Sequence, residues 1–141
     1  MSPIIRYFTI ASLFYLVIGA GLGLVMALYP PSIGYLLLAH VHFLLLGFIA
    51  MMIYSVGYHV LPRFSGFKLY SELLIIVQFY LTNIGLIGMA ITWIILGNAV
   101  SGFYHILILG SFTSMEFIGI CIFVFNNIMT LSGKGGKMTN Q

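Results

Sequence analysis

The chain has 141 residues, 62% of them hydrophobic and only 5% charged, with a mean hydropathy of +1.17. Such a composition cannot cover a water-soluble surface, and its apolar runs exceed the roughly 18 residues that mark a membrane span. The net charge of +3 comes from Arg6, Arg63, Lys68, Lys134 and Lys137 against Glu72 and Glu116, with no basic stripe for nucleic acid, and the single Cys121 leaves no partner for a disulfide or a CxxC redox pair.

Breaks in hydropathy predict an all-α, integral membrane four-helix bundle in a single domain over residues 1–131. The first helix covers residues 4–29 and stops at Pro30-Pro31, where backbone donors are missing and the preceding residue is biased away from helix. Its apolar stretch is too long for the core of a cleaved leader, and no small-residue cleavage site follows. Ser32 is expected to cap a second helix over residues 33–61, ended by Pro62 and a polar loop, Arg63 to Lys68. Ser71 with Glu72 suits the start of a third helix, residues 71–96, which ends at Gly97-Asn98. A fourth covers residues 101–128, and residues 132–141 read as a flexible, solvated tail.

All five basic residues fall at the N-terminus, in the loop after the second helix or in the tail. The positive-inside rule therefore predicts a multi-pass protein of the cell (inner or plasma) membrane with both termini cytoplasmic. His40, His42 and His105 then lie in the outer half of the bilayer, and His59 lies near the inner interface.

Ionisable side chains at membrane depth are costly to place and point to function. His42 to Gly47 reads like His105 to Gly110, and Phe14-Tyr15-Leu16 with Gly19 reads like Phe79-Tyr80-Leu81 with Gly85. The near-equal offset suggests two repeated helical hairpins related by an axis along the membrane normal. His42 and His105 would then sit at matching depth and face each other across the bundle. Haem iron takes axial nitrogens on opposite faces within an apolar slot, and bundle cores build such sites from facing helices. Gly47 and Gly110 would let the flat ring approach the backbone. Zinc is disfavoured for want of about four N or S ligands. A copper site from His40, His42 and His105 is the less favoured alternative. Two residues along a helix is about 200°, so His40 points away from His42. It serves a second haem or a neighbouring subunit, or it bonds a carbonyl within the bundle.

The segment His40-Val41-His42 with Gly47, followed by Tyr58-His59-Val60-Leu61-Pro62-Arg63-Phe64-Ser65-Gly66, resembles the haem-ligand helix of the haem-copper oxidase catalytic subunit, including its nitric oxide reductase branch. The resemblance implies that His40 is a high-spin haem ligand and His42 a low-spin one. It covers residues 36–66 only. The family's twelve or more helices, three-histidine copper site and arginine pair for the propionates are missing, so the chain looks like a short haem-binding relative in which His105 replaces the ligand drawn from another helix.

Among the remaining residues, Glu116 is a mid-membrane carboxyl on the face of His105 and a candidate proton or polar relay. Gln78, Asn83, Asn126 and Asn127 suit interhelical bonds, and Gly19 to Gly23 offers a small-residue face for self-association. Trp93 reads as an interfacial anchor. Together these features lead to an expected membrane cytochrome with haem b, probing a diatomic gas or passing electrons to a quinone or cytochrome partner, embedded in the lipid bilayer as a homo-oligomer. The alternatives are an oxygen or nitric oxide oxidoreductase using a five-coordinate haem at His40, and a haem or copper handling factor for oxidase assembly.

Overall fold

A computed structural model describes residues 3–96 and 102–137. Four helices, α1 (Pro3–Leu28), α2 (Pro30–Ser65), α3 (Glu72–Leu96) and α4 (Phe103–Leu131), are each long and apolar enough to cross a membrane. Long uninterrupted apolar sequence favours helix here because a lipid-facing backbone must satisfy its own donors and acceptors. The expected all-α four-helix architecture is the one observed.

Element ends follow local chemistry, with three departures from expectation. Ser32 does not cap α2 through its side chain: its hydroxyl donates back to the Tyr29 carbonyl at 2.8 Å, and Pro30 and Pro31 begin the helix as a 3-10 turn. Pro62 does not end α2. It lies in the last turn, where a missing N–H removes one helical bond, and the helix runs on to Ser65 before Gly66 turns left-handed at φ 72°. Residues 132–137 are not a free tail. They fold back so that Lys68 N–H donates to the Gly136 carbonyl at 2.8 Å and Phe67 bridges Lys137. Ser71 does cap α3, accepting from the Leu74 N–H at 3.3 Å. The expected turn at Gly97-Asn98, the start at Ser101 and residues 138–141 fall outside the described residues.

The helices pack as two antiparallel pairs, α1 with α2 and α3 with α4, and the second pair is closely fitted. A Cβ added at Gly85 would stand 2.9 Å from the Phe112 carbonyl oxygen, so only a glycine lets the two backbones approach. Phe8, Tyr54, Tyr58, Met51, Ile75 and Leu86 form the centre of the core. α2 and α3 each pack closely on all the other helices, whereas α1 and α4 occupy opposite corners, with no Cα of one within 8 Å of the other among the described residues. The similar hairpins are therefore used unequally: Tyr15 is buried and donates to Asn83 at 2.6 Å, while Tyr80, its counterpart in the sequence repeat, is 60% exposed.

Immediately after His42, residues Phe43–Ala50 of α2 widen into a π-helix before the α-helix resumes at Met51. Runs of this kind are rare and concentrate at functional sites. The apolar sequence Phe43 to Ala50 carries no local signal that would have announced it.

Candidate functional site

His40 and His42 leave α2 in different directions, as their spacing requires. His40 points to α1. Its Nδ1 lies 2.8 Å from the Gly19 carbonyl oxygen, and the ring covers Gly23, where an added Cβ would come within 2.9 Å of it. Within the small-residue stretch of α1, Gly19 receives Leu44 and Gly23 receives His40, while Gly21 is open. Of the roles open to His40, the bond to a carbonyl inside the bundle is the one present.

His42 points to α3. Its Nδ1 lies 2.8 Å from the carbonyl oxygen of Leu38, one turn back, and its ring centre is 4.4 Å from that of Trp93. With Nδ1 carrying the proton donated to Leu38, the lone pair is on Nε2. Fixing one ring nitrogen on a carbonyl in this way is how ligating histidines set their tautomer. Trp93 itself is 7% exposed and packed against His42, and so does not serve as an interfacial anchor.

His105 lies two residues into α4. It is 8% exposed, and neither ring nitrogen has a hydrogen-bond partner among the described residues. An imidazole buried this way leaves about 1–3 kcal/mol of desolvation uncompensated. Beside it runs a groove of about 390 Å³ lined by Ile106, Leu109, Gly110, Thr113 and Ser114.

The depths of His42 and His105 follow from the α3–α4 pairing. The Thr113 hydroxyl donates to the Met89 sulfur at 3.3 Å, so one turn nearer the α1–α2 turn Trp93 is level with Leu109, and His105 lies about one more turn in the same direction, roughly 6 Å. α2 and α4 meet toward the α2–α3 loop, where the Tyr54 and Tyr58 rings lie 4.7 and 5.2 Å from that of Phe123. Toward the α1–α2 turn no Cα of residues 30–50 comes within 8 Å of one in α4, so the two helices are less closely packed at the level where Trp93 lies beside His42.

The two glycines differ. Gly110 is open, with nothing within 4 Å of an added Cβ, whereas the space over Gly47 is filled by Tyr15 at 2.7 Å and Leu86 at 3.0 Å. Gly47 makes room for a helix contact. Among the described residues no group of three or more His, Cys, Asp or Glu side chains converges, and His40, His42 and His105 do not gather at one point. The Arg63 guanidinium, one turn on at the end of α2, donates to the ring of His59.

Glu116 lies deeper, 3% exposed, with neither carboxyl oxygen bonded among the described residues. The carboxyl rests over Gly85 and lies within electrostatic reach of Tyr15 and Tyr54. The part of Trp93 beside His42, and of Tyr54 and Gln78 below Glu116, was not legible beforehand, because aromatic and amide side chains in apolar helices usually serve packing. No protein-family model, curated protein or solved structure matches the chain.

Proposed function

We propose that the chain is a membrane haem b protein whose axial nitrogens come from His42 and His105, and that it passes electrons or responds to a diatomic gas. The observation that carries this reading is His105: a buried imidazole with both nitrogens unpartnered among the described residues, beside the open backbone of Gly110. Ligation of a metal by one of those nitrogens would compensate the burial of that atom. His42 fits the same chemistry, since its bond to Leu38 leaves Nε2 as a donor to iron. The resemblance of residues 36–66 to the ligand helix of the haem-copper oxidases supports the choice of haem over other metals, and the π-helical segment directly after His42 supports a functional role for this stretch.

Bound haem would supply one-electron chemistry, or gas binding where a coordination position opens. The chain's own part is to orient His42 through Leu38, to exclude water with Trp93 and the surrounding apolar side chains, and to admit a flat ring past the bare backbone of Gly110. The distribution of the basic residues supports an orientation with the termini and the loop between α2 and α3 on the cytoplasmic face and this site in the outer half of the membrane. A quinone or cytochrome is the fitting redox partner, and a homo-oligomer the fitting assembly. Spectra of the purified protein, oxidised and reduced, test the proposal: low-spin haem b near one per chain is expected, and protein expressed with ample haem that purifies without any would refute it.

A further inference from the structure

Glu116 is one of only two side-chain carboxyls in the chain, and it is buried in the membrane-spanning part of α4, far from the loops. Both oxygens lack a partner among the described residues. On the α3 side it meets Gly85, which has no side chain to offer, and on the α1 side the Tyr15 hydroxyl already donates to Asn83. A permanent anion in such a place is costly, and a structural role would leave the carboxyl bonded.

Beneath Glu116 a line of buried polar groups descends through the core to the loop between α2 and α3. Tyr54 stands one turn above Tyr58 on the same face of α2. The Tyr58 hydroxyl donates to Gln78 Oε1 at 2.5 Å, and Gln78 Nε2 is left unpartnered. Asn126 interacts with Tyr58 and also binds both backbone groups of Ser71, accepting from its N–H at 3.1 Å and donating to its carbonyl at 2.9 Å. Tyr58, Gln78 and Asn126 are each at most 2% exposed. Ser71 belongs to the polar loop at the membrane face. The only titratable groups facing Glu116 from the packed helices are Tyr15 on α1 and Tyr54 on α2; α3 presents none, and the described residues place no cation there.

We propose that Glu116 is a proton-binding site inside the membrane, filled from the face that carries the Ser71 loop by way of Asn126, Gln78, Tyr58 and Tyr54. In the loading step one proton leaves the aqueous phase and one O–H bond forms on the Glu116 carboxylate, which becomes a neutral acid. Unloading reverses it, and nothing is oxidised or reduced. The line ends at Glu116, about half-way across the bilayer, so the site stores a proton on one side of the membrane and does not conduct it through.

Infrared spectroscopy of the protein in lipid bilayers, moved from H₂O to D₂O, tests this without reference to haem. A protonated-carboxyl carbonyl band should be present, should vanish in Glu116→Gln and should shift as deuterium replaces the proton. Tyr58→Phe, which keeps the ring against Phe8 and Phe123, should slow that shift by about tenfold or more, equivalent to ~1.4 kcal/mol on the barrier. Tyr15→Phe, off the line, should leave it unchanged. A band that persists in Glu116→Gln, one that never exchanges, or a rate that Tyr58→Phe does not alter would overturn the proposal. Gln78→Leu provides an independent variant of the same line should the first fold poorly, and it carries the same expectation.

Discussion

The imidazole of His42 lies with its ring centre 4.4 Å from that of Trp93, joining α2 to the C-terminal end of α3. This contact, with the Nδ1 bond to Leu38, holds His42 in one orientation before any ligand is present. A preset donor loses less freedom on binding.

Trp93 is the only tryptophan, so its fluorescence reports this contact directly. Trp93→Ala should destabilise the fold by about 3–5 kcal/mol, as expected for truncating a buried indole, and Trp93→Phe by less. In the wild type, added haem should quench the emission, and His42→Ala should shift the emission even before haem is added. Emission indifferent to both would separate Trp93 from the site.

Replacing His40 separates packing from ligation. His40→Ala should leave the haem spectrum of the protein intact, because His40 faces Gly19 and Gly23 on α1, and should lower thermal stability by about 1–3 kcal/mol through the lost bond and contact. Loss of the spectrum in a variant that still folds would make His40 a ligand after all.

The glycines give a graded test of packing against site. Gly85→Ala meets a backbone carbonyl and the Glu116 backbone N–H, neither of which can swing aside, and should destabilise by about 1–3 kcal/mol. Gly110→Leu meets open space and should leave the thermal midpoint unchanged while lowering haem retention. Equal haem retention in Gly110→Leu and wild type would show that no planar group lies over that backbone.

Much of the fold was legible because membrane helices announce themselves by length. What lay hidden was which neighbour each face meets. Lipid-facing and core-facing side chains are both apolar, so Phe14 and Phe8 look alike in sequence although one is 66% exposed and the other fully buried. The glycines of α1 could serve another chain or this one, and only the structure shows that Gly19 and Gly23 are covered by Leu44 and His40 while Gly21 is left open. The direction of His40 away from His42 followed from helical geometry, and the exposure of Gly110 beside a filled Gly47 did not, since both follow a histidine at the same spacing. The helix boundary at Pro62 was misplaced because a proline in a last turn costs little there, and the positive φ of Gly66 ended the helix instead.

Sidedness can be read from labelling. Tyr29, 58% exposed at the turn between α1 and α2, is an accessible probe position. Tyr29→Cys in a Cys121→Ser background should react with an impermeant thiol reagent added outside intact cells, and a reporter joined after Gln141 should be active in the cytoplasm. The reverse pattern would move the histidine site to the inner half of the membrane.

The ligand assignment is tested most directly by the oxidised and reduced absorption spectra of His42→Ala and His105→Ala beside the wild type. Removing one axial nitrogen leaves iron five-coordinate or releases the cofactor. Each variant should therefore lose the low-spin bands shown by the wild type, with free imidazole restoring part of them where haem is retained. An unchanged low-spin spectrum in either variant would contradict the assignment of that histidine and with it the shared site of His42 and His105.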